Sequence, residues 1–112
     1  MKKIAFIGSS LKSLRDFPET ARSDAGYALR EVQKGKEPAD WKSMSSIGVG
    51  VKEIRIKDNQ GIFRVVYVVK YLDRVNVLHA FQKKTQKTAK KDIDLAKQRL
   101  KQLLEEVKNG II

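Results

Sequence analysis

The sequence predicts one α+β domain in which helices pack on an antiparallel sheet in two layers. Three strand-like segments, residues 51–57, 62–71 and 75–82, follow one another with only short turn-like connections, which is typical of an antiparallel meander. Segments whose apolar residues repeat at helical spacing stand before and after this meander. A chain of 112 residues has room for one hydrophobic core, so we expect a single domain over residues 1–112.

The N-terminal part is predicted to contain a strand and two helical elements. Residues 2–7 are expected to form the strand, and residues 9–14 a short helical turn. Asp16 is expected to cap the longer helix, Pro18 suits its first turn, where no backbone N–H is needed, and Gly35 ends it. The buried stripe of that helix is predicted to comprise Ala21, Ala25, Ala28, Leu29 and Val32.

Residues 36–50 lack any periodicity and are expected to form an irregular connection, with Trp41 and Met44 packing it onto the core. After the meander, Thr88 is expected to cap the last helix, which ends near residues 109–110. The apolar positions of that helix are Ile93, Ala96, Leu100, Leu103, Leu104 and Val107. The predicted order is therefore β-α-α-β-β-β-α, with the helices on one face of the sheet and the other face available.

One arginine interrupts the most apolar predicted strand. Because side chains alternate along a strand, Arg64 shares a side with Val66, and Val65 faces the other way. Burying a guanidinium group is costly unless something anionic meets it. We therefore expect an anionic group near Arg64.

The charge of the chain indicates an anionic partner. Lys and Arg number 24 against 13 Asp and Glu, which gives a net charge of +11. The excess is uneven, because residues 61–112 hold twelve basic and five acidic side chains, and residues 1–60 hold twelve and eight. A polyanion such as RNA would be attracted to such a surface.

Several classes of chemistry are excluded by composition and motifs. The chain has no cysteine and one histidine, so a disulfide framework, a thiol nucleophile and a zinc site are not expected. We expect no cofactor, because phosphate-binding and dinucleotide-binding glycine motifs are missing. No signal peptide or membrane-spanning run is found, so we expect a cytoplasmic protein without a membrane partner.

The densest functional signal is the segment of residues 79–91, which holds five lysines and no acid. It leads from the last strand into the final helix. Lys90 and Lys91 lie in the predicted first helical turn, where cations oppose the helix dipole, so their placement favours a role in anion binding over stability. The alternative is a solvated run of charge that Asp92 and Asp94 relieve.

His79 has two interpretations. It is either a packed, hydrogen-bonded side chain or a group that exchanges a proton with a ribose hydroxyl or a leaving oxygen. The nearby Phe81 and the tyrosines at 67 and 71 could stack on bases, although core packing is favoured for Tyr67.

Four segments resemble one toxin family. They are WKSM at 41–44, GVGVKEIRI at 48–56, GIFRVVY at 61–67 and VLHAFQKKTQKT at 77–88. Together they are similar to the phage-related HigB-like toxins of the RelE/ParE superfamily, and the similarity extends along nearly the whole chain. The last segment is the most specific, because the EIR and FRVVY strings are shared more loosely among RelE/ParE relatives.

The resemblance implies the RelE-like fold and the toxin of a type II toxin–antitoxin pair. Such toxins typically cleave mRNA on the ribosome and are silenced by a helix-turn-helix, HigA-like antitoxin. In RelE-type members the ribose 2′-oxygen attacks the adjacent phosphate without a metal, and basic side chains stabilise the charge. By position, the resemblance places Arg64 and the Lys83–Lys84 pair on the catalytic face, with Arg55 beside them.

The general base stays open, because the tyrosine that RelE uses near its C-terminus has no counterpart after Tyr71; His79, Lys83 and Lys84 are the candidates. The further residues expected to bind RNA are Lys57, Phe81, Lys87, Thr88, Lys90 and Lys91.

Two other functions remain compatible with the sequence. The ParE branch shares the fold and inhibits DNA gyrase, so the fold alone does not decide the activity. The chain could also bind RNA without cleaving it.

Overall fold

The computed structural model describes residues 1–83 and 88–110, and contains a five-stranded sheet flanked by three helices. The elements in chain order are β1 (Lys3–Phe6), α1 (Ser10–Arg15), α2 (Glu19–Gln33), β2 (Trp41–Ser43), β3 (Lys52–Asp58), β4 (Gly61–Val68), β5 (Arg74–Lys83) and α3 (Lys90–Asn109). This confirms the α+β class and the predicted succession, with one additional short strand. Within the described ranges, no helix is both long and apolar enough to cross a membrane.

The sheet has the order β1-β5-β4-β3-β2 and is antiparallel except at one edge. The predicted meander of β3, β4 and β5 is confirmed. β1 runs parallel to β5, with Ile4 beside Val75, so the expectation of a wholly antiparallel sheet is wrong at this edge. The alternation of side chains predicts a strand but carries no information on its partner or direction, since both ladders use the same backbone groups.

The prediction of an irregular connection over residues 36–50 is wrong at β2, whose three residues pair with the outer edge of β3. Backbone hydrogen bonds hold this strand, and most sequences can supply them. Met44 is buried, as expected. Trp41 is 37% exposed and lies at the sheet edge, where the Lys52 ammonium is 4.4 Å from its ring centroid, so Trp41 does not enter the core.

The sequence led us to expect all helices on one face of the sheet, and this expectation is wrong. α1 and α2 cover the face that carries Ile54, Val65 and Tyr67. α3 packs on the opposite face, against Val66 and Leu78. The central strands therefore have apolar side chains on both faces, which alternation alone does not distinguish from one covered face and one functional face.

Two predicted helix caps are also wrong. α2 begins after Pro18 and not at Asp16, which instead follows the last residue of α1. The residue before α3 is Ala89, and the hydroxyl of Thr88 donates to Glu53 and not to the helix backbone. Tertiary partners compete with the backbone for short polar side chains, and in Thr88 the tertiary partner is preferred.

The packing of α3 predicts different costs for two adjacent leucines. Leu103 is fully buried against the sheet, and Leu104 is 40% exposed. We expect Leu103→Ala to lower the free energy of unfolding by about 2–5 kcal/mol, because it leaves a cavity in the core. Leu104→Ala is the matched control, since it makes the same change at a neighbouring helical position, and should cost less than half as much.

Urea denaturation of both variants measures these values. Equal losses in the two variants would contradict the orientation of α3.

Candidate functional site

Three rows of side chains cross the face of the sheet on which α3 lies. Strand register and side-chain alternation place these residues on one face. The first row contains Lys42, Glu53, Val66 and His79; the second contains Arg55, Arg64 and Phe81; the third contains Lys57, Ile62 and Lys83. We call the five cations of these rows, Lys42, Arg55, Lys57, Arg64 and Lys83, the basic face.

α3 does not extend over the second and third rows. The helix begins at Lys90, contacts the first row where Asp92 meets His79, and extends toward Arg74, which pairs with Glu106 at 3.1 Å. It therefore covers the part of β5 between His79 and Arg74. Four of the five cations of the basic face, all except Lys42, lie beyond that first row.

Arg64 forms a buried ion pair with Glu53 at the floor of the basic face. Nη1 of Arg64 donates to Oε1 of Glu53, and the two side chains are 3% and 0% exposed. The expected anionic group near Arg64 is thus supplied by the neighbouring strand. Oε2 of the same carboxylate accepts a hydrogen bond of 3.0 Å from the Thr88 hydroxyl.

Two guanidinium groups retain unused donors at this site. Arg55 and Arg64 face each other in register on β3 and β4. The Nε atom of each is buried, and neither makes a hydrogen bond within residues 1–83 and 88–110. A buried N–H without a partner costs free energy, so both atoms favour an acceptor such as a phosphoryl oxygen. The nearest acid to Arg55 is Asp40, 3.9 Å from Nε.

The electrostatic field of the basic face acts on Lys83. Desolvation, followed by repulsion from Arg64, Lys42 and Arg55, lowers the pKa of Lys83, and Glu53 partly opposes this effect. A lysine whose pKa is lowered releases its proton more readily than a free lysine. Lys83 is thus both a cation of the site and a candidate for proton transfer.

His79 is held as a buried structural group. Its Nε2 lies 2.8 Å from Oδ1 of Asp92. Its Nδ1 lies 3.4 Å from Nη1 of Arg99, which can only donate, so Nδ1 accepts and the ring carries its proton on Nε2. Arg99 also donates to the carbonyl of Leu78 and to the hydroxyl of Ser9. This network joins β5, α3 and the start of α1, as the packed interpretation of His79 requires.

The other predicted RNA-binding residues are placed in different ways. Lys57 is exposed on the third row, and Phe81 stacks on His79 with 4.8 Å between ring centroids. Lys90 and Lys91 are exposed in the first turn of α3, as predicted, and Lys90 pairs with Asp94 at 2.9 Å. The calls on Lys84 and Lys87 fall outside the described residues.

Sequence reasoning missed four residues of this region. Glu53 was detectable, since it shares a side of the predicted strand with Arg55, which lies opposite Arg64 on β4. Lys42 carried no signal, because its strand was interpreted as an irregular connection. Asp92 and Arg99 have helical spacing on α3, but only the packing of α3 against β5 directs them to His79.

A groove on the α2 side of β3 differs in charge from the basic face. Its volume is about 230 Å³, and it lies between α2, residues 38–40 and the outer edge of β3. Three carboxylates, those of Asp24, Glu31 and Asp40, line it, and β3 borders it at Arg55 and Lys57, whose side chains belong to the basic face. Acids outnumber bases among its lining residues, so this groove suits a polyanion less well than the basic face does.

Comparison with known proteins identifies one family. Residues 12–101 match the model of the family described as Phage derived protein Gp49-like (DUF891). The match includes all three rows of the site. Among curated proteins, no significant match to the chain was found.

The surroundings of His79 predict a pH dependence of stability. Burial lowers the pKa of His79 below 6.5, attraction to Asp92 partly opposes this, and repulsion from Arg99 adds to it. The unfolded chain therefore binds a proton that the folded chain resists, so stability is complete above about pH 6.5 and falls as the pH decreases below it. Urea denaturation between pH 5 and 8 measures the effect.

His79→Gln is the control, because His79 is the single histidine of the chain and glutamine can still donate to Asp92. This variant should lose the part of the pH dependence that lies just below pH 6.5. An NMR titration that gives His79 a midpoint at or above 6.5 would contradict the assignment.

Proposed function

The chain belongs to the Gp49-like family of phage-derived proteins, and we propose that it is the HigB-like toxin of a type II toxin–antitoxin pair. In this proposal it acts in the cytoplasm, cleaves mRNA on the ribosome, and is neutralised by a helix-turn-helix, HigA-like antitoxin. The observation that carries the proposal is the in-register pair Arg55 and Arg64, whose buried Nε atoms have no acceptor within the described residues.

The chemistry of an RNA phosphate matches these groups. A guanidinium offers planar, directed N–H donors that fit phosphoryl oxygens better than a mobile ammonium does. Arg64 is held in place by β4 and Glu53, so its donors need little reorganisation when negative charge develops. The remaining cations of the basic face supply attraction that does not depend on base sequence.

The proposed reaction needs only groups of the RNA, of this chain and of solvent water. The 2′-hydroxyl loses its proton to water, and its oxygen forms a bond to the adjacent phosphorus. The bond from phosphorus to the 5′-oxygen breaks, and that oxygen takes up a proton. The products are a 2′,3′-cyclic phosphate and a 5′-hydroxyl, so atoms and charge balance without an oxidant or a second substrate.

We assign the donation of a proton to the leaving 5′-oxygen to Lys83. Its lowered pKa and its place beside Arg55 and Arg64 suit a donor to the leaving 5′-oxygen. His79 suits this step less well, since both of its ring nitrogens already have partners. Its role in the proposal is to hold α3 against β5.

The proposal predicts that the chain, expressed alone in a bacterium, stops growth and leaves transcripts with 2′,3′-cyclic phosphate ends. Sequencing of such ends after induction maps the cleavage, and co-expression of a cognate HigA-like antitoxin should restore growth. Intact transcripts together with gyrase-linked DNA breaks would instead establish a ParE-like inhibitor. RNA binding without cleavage and without growth arrest would leave a non-catalytic RNA-binding protein.

Substitution of individual cations should distinguish residues that set the cleavage rate from residues that only attract RNA by their charge. We expect Arg55→Ala and Lys83→Ala each to reduce the single-turnover cleavage rate by about 10²-fold, the typical cost of removing one preorganised donor. Lys101→Ala is the matched control, because it removes the same charge from an exposed position of α3. A gel assay of mRNA cleavage on purified ribosomes measures the rates.

Equal rates for Lys83→Ala and Lys101→Ala would contradict the role of Lys83. The far-ultraviolet circular dichroism of each variant verifies that it is folded.

A further inference from the structure

Glu53 is an unexpected residue at the centre of a cationic surface. It is the one acid in the three rows, and its side chain is fully buried. Removing a carboxylate from water is costly, and an ion pair of this kind is often no more stabilising than apolar side chains of similar size. Its register partner on β4 is the apolar Val66, so strand pairing alone does not explain an acid at this position.

Both carboxylate oxygens of Glu53 are engaged, and by different parts of the fold. Oε1 accepts from Nη1 of Arg64 on β4, and Oε2 accepts from the hydroxyl of Thr88, two residues before α3 begins. A carboxylate with two fixed donors has a fixed orientation. Glu53 therefore links Arg64 on β4 to the segment that enters α3.

This orientation determines where the free edge of Arg64 points. A guanidinium group is planar and rigid, so when Nη1 is held by Glu53 the direction of the N–H on Nε is also set. That N–H is the buried donor that has no acceptor within the described residues. Glu53 thus controls the donor that the proposed reaction uses and does not itself face the scissile phosphate.

We propose that Glu53 is a positioning residue of the RNA site: it holds the Arg64 guanidinium through one oxygen and the approach to α3 through the other. This inference rests on the proposed function, since it names how the same site is preorganised. Glu53 raises the rate of cleavage. It also weakens the attraction of RNA, because its negative charge lies among the cations of the basic face.

The two effects have opposite signs, which separates positioning from a purely structural role. A small displacement of Arg64 lowers the rate of the chemical step steeply, because about 1 Å can cost about 10²-fold. Loss of one negative charge from a cationic surface strengthens the attraction of a polyanion. A general loss of structure would weaken cleavage and binding together.

The test is Glu53→Gln, which keeps the shape of the side chain and removes its charge. We expect single-turnover cleavage of ribosome-bound mRNA to fall by about 10- to 100-fold. The affinity for a short single-stranded RNA, measured by fluorescence anisotropy at several salt concentrations, should be unchanged or higher. Glu106→Gln is the matched control, because it removes a carboxylate from the exposed pair with Arg74, and should cleave as the wild type does.

Thr88→Val provides a second variant that keeps the ion pair intact. It removes the hydroxyl that donates to Oε2, and we expect a smaller decrease in the cleavage rate. RNA affinity should be unchanged, because this hydroxyl is bound to Glu53 and not directed to RNA as the sequence led us to expect. Thr20→Val, at an exposed position of α2, is its control. Wild-type cleavage rates in both Glu53→Gln and Thr88→Val would overturn the inference and leave the proposed function standing.

A direct measurement of Arg64 makes the inference independent of activity. The Nε–H of Arg64 in the wild type should exchange slowly with water in proton–nitrogen NMR spectra, because it is buried. In Glu53→Gln this exchange should be faster by more than 10-fold, since a neutral acceptor holds a guanidinium less strongly than a carboxylate does. Unchanged exchange would overturn the role of Glu53. Absence of cleavage by the wild type would overturn the proposed function instead.

Discussion

Arg64 and Glu53 form an ion pair that is almost completely buried between β3 and β4. Two charges at this depth are tolerated only when each has a partner, so the register of the two strands and the placement of the pair depend on each other. Glu53 accepts one hydrogen bond from Arg64 and one from Thr88, so both of its oxygens and one donor of Arg64 are used. A ligand at this face of the sheet can bind only the donors of Arg64 that these hydrogen bonds leave free.

The two-sided covering of the sheet explains why the basic face is small and well bounded. α2 packs on one face, and α3 packs on the other from His79 toward Arg74. The contact between Asp92 and His79 marks where the helix begins on the sheet. Only the second and third rows lie beyond this contact, so four cations of the basic face, those on β3, β4 and β5, are concentrated next to a helix start.

Concentration of like charges has a cost that the fold balances locally. Desolvation, and after it repulsion within the basic face, lowers the pKa of Lys83, and Glu53 partly opposes this effect. Three carboxylates line the groove on the α2 side of the sheet, where acids outnumber bases. The cationic surface of the α3 side thus has no counterpart in this groove.

The sequence by itself determined the α+β class, the meander, the helical stripes and the lysine-rich approach to α3, because each depends on local periodicity and composition. Alternation also placed Arg64 on the side of its strand that Val66 shares, and the family resemblance placed Arg55 beside it. Only the tertiary structure decided that β1 is parallel to β5, that α3 lies opposite α2, and that His79 is held by Asp92 and Arg99. These features join residues far apart in the chain, and alternation along one segment does not encode which distant segment will meet it.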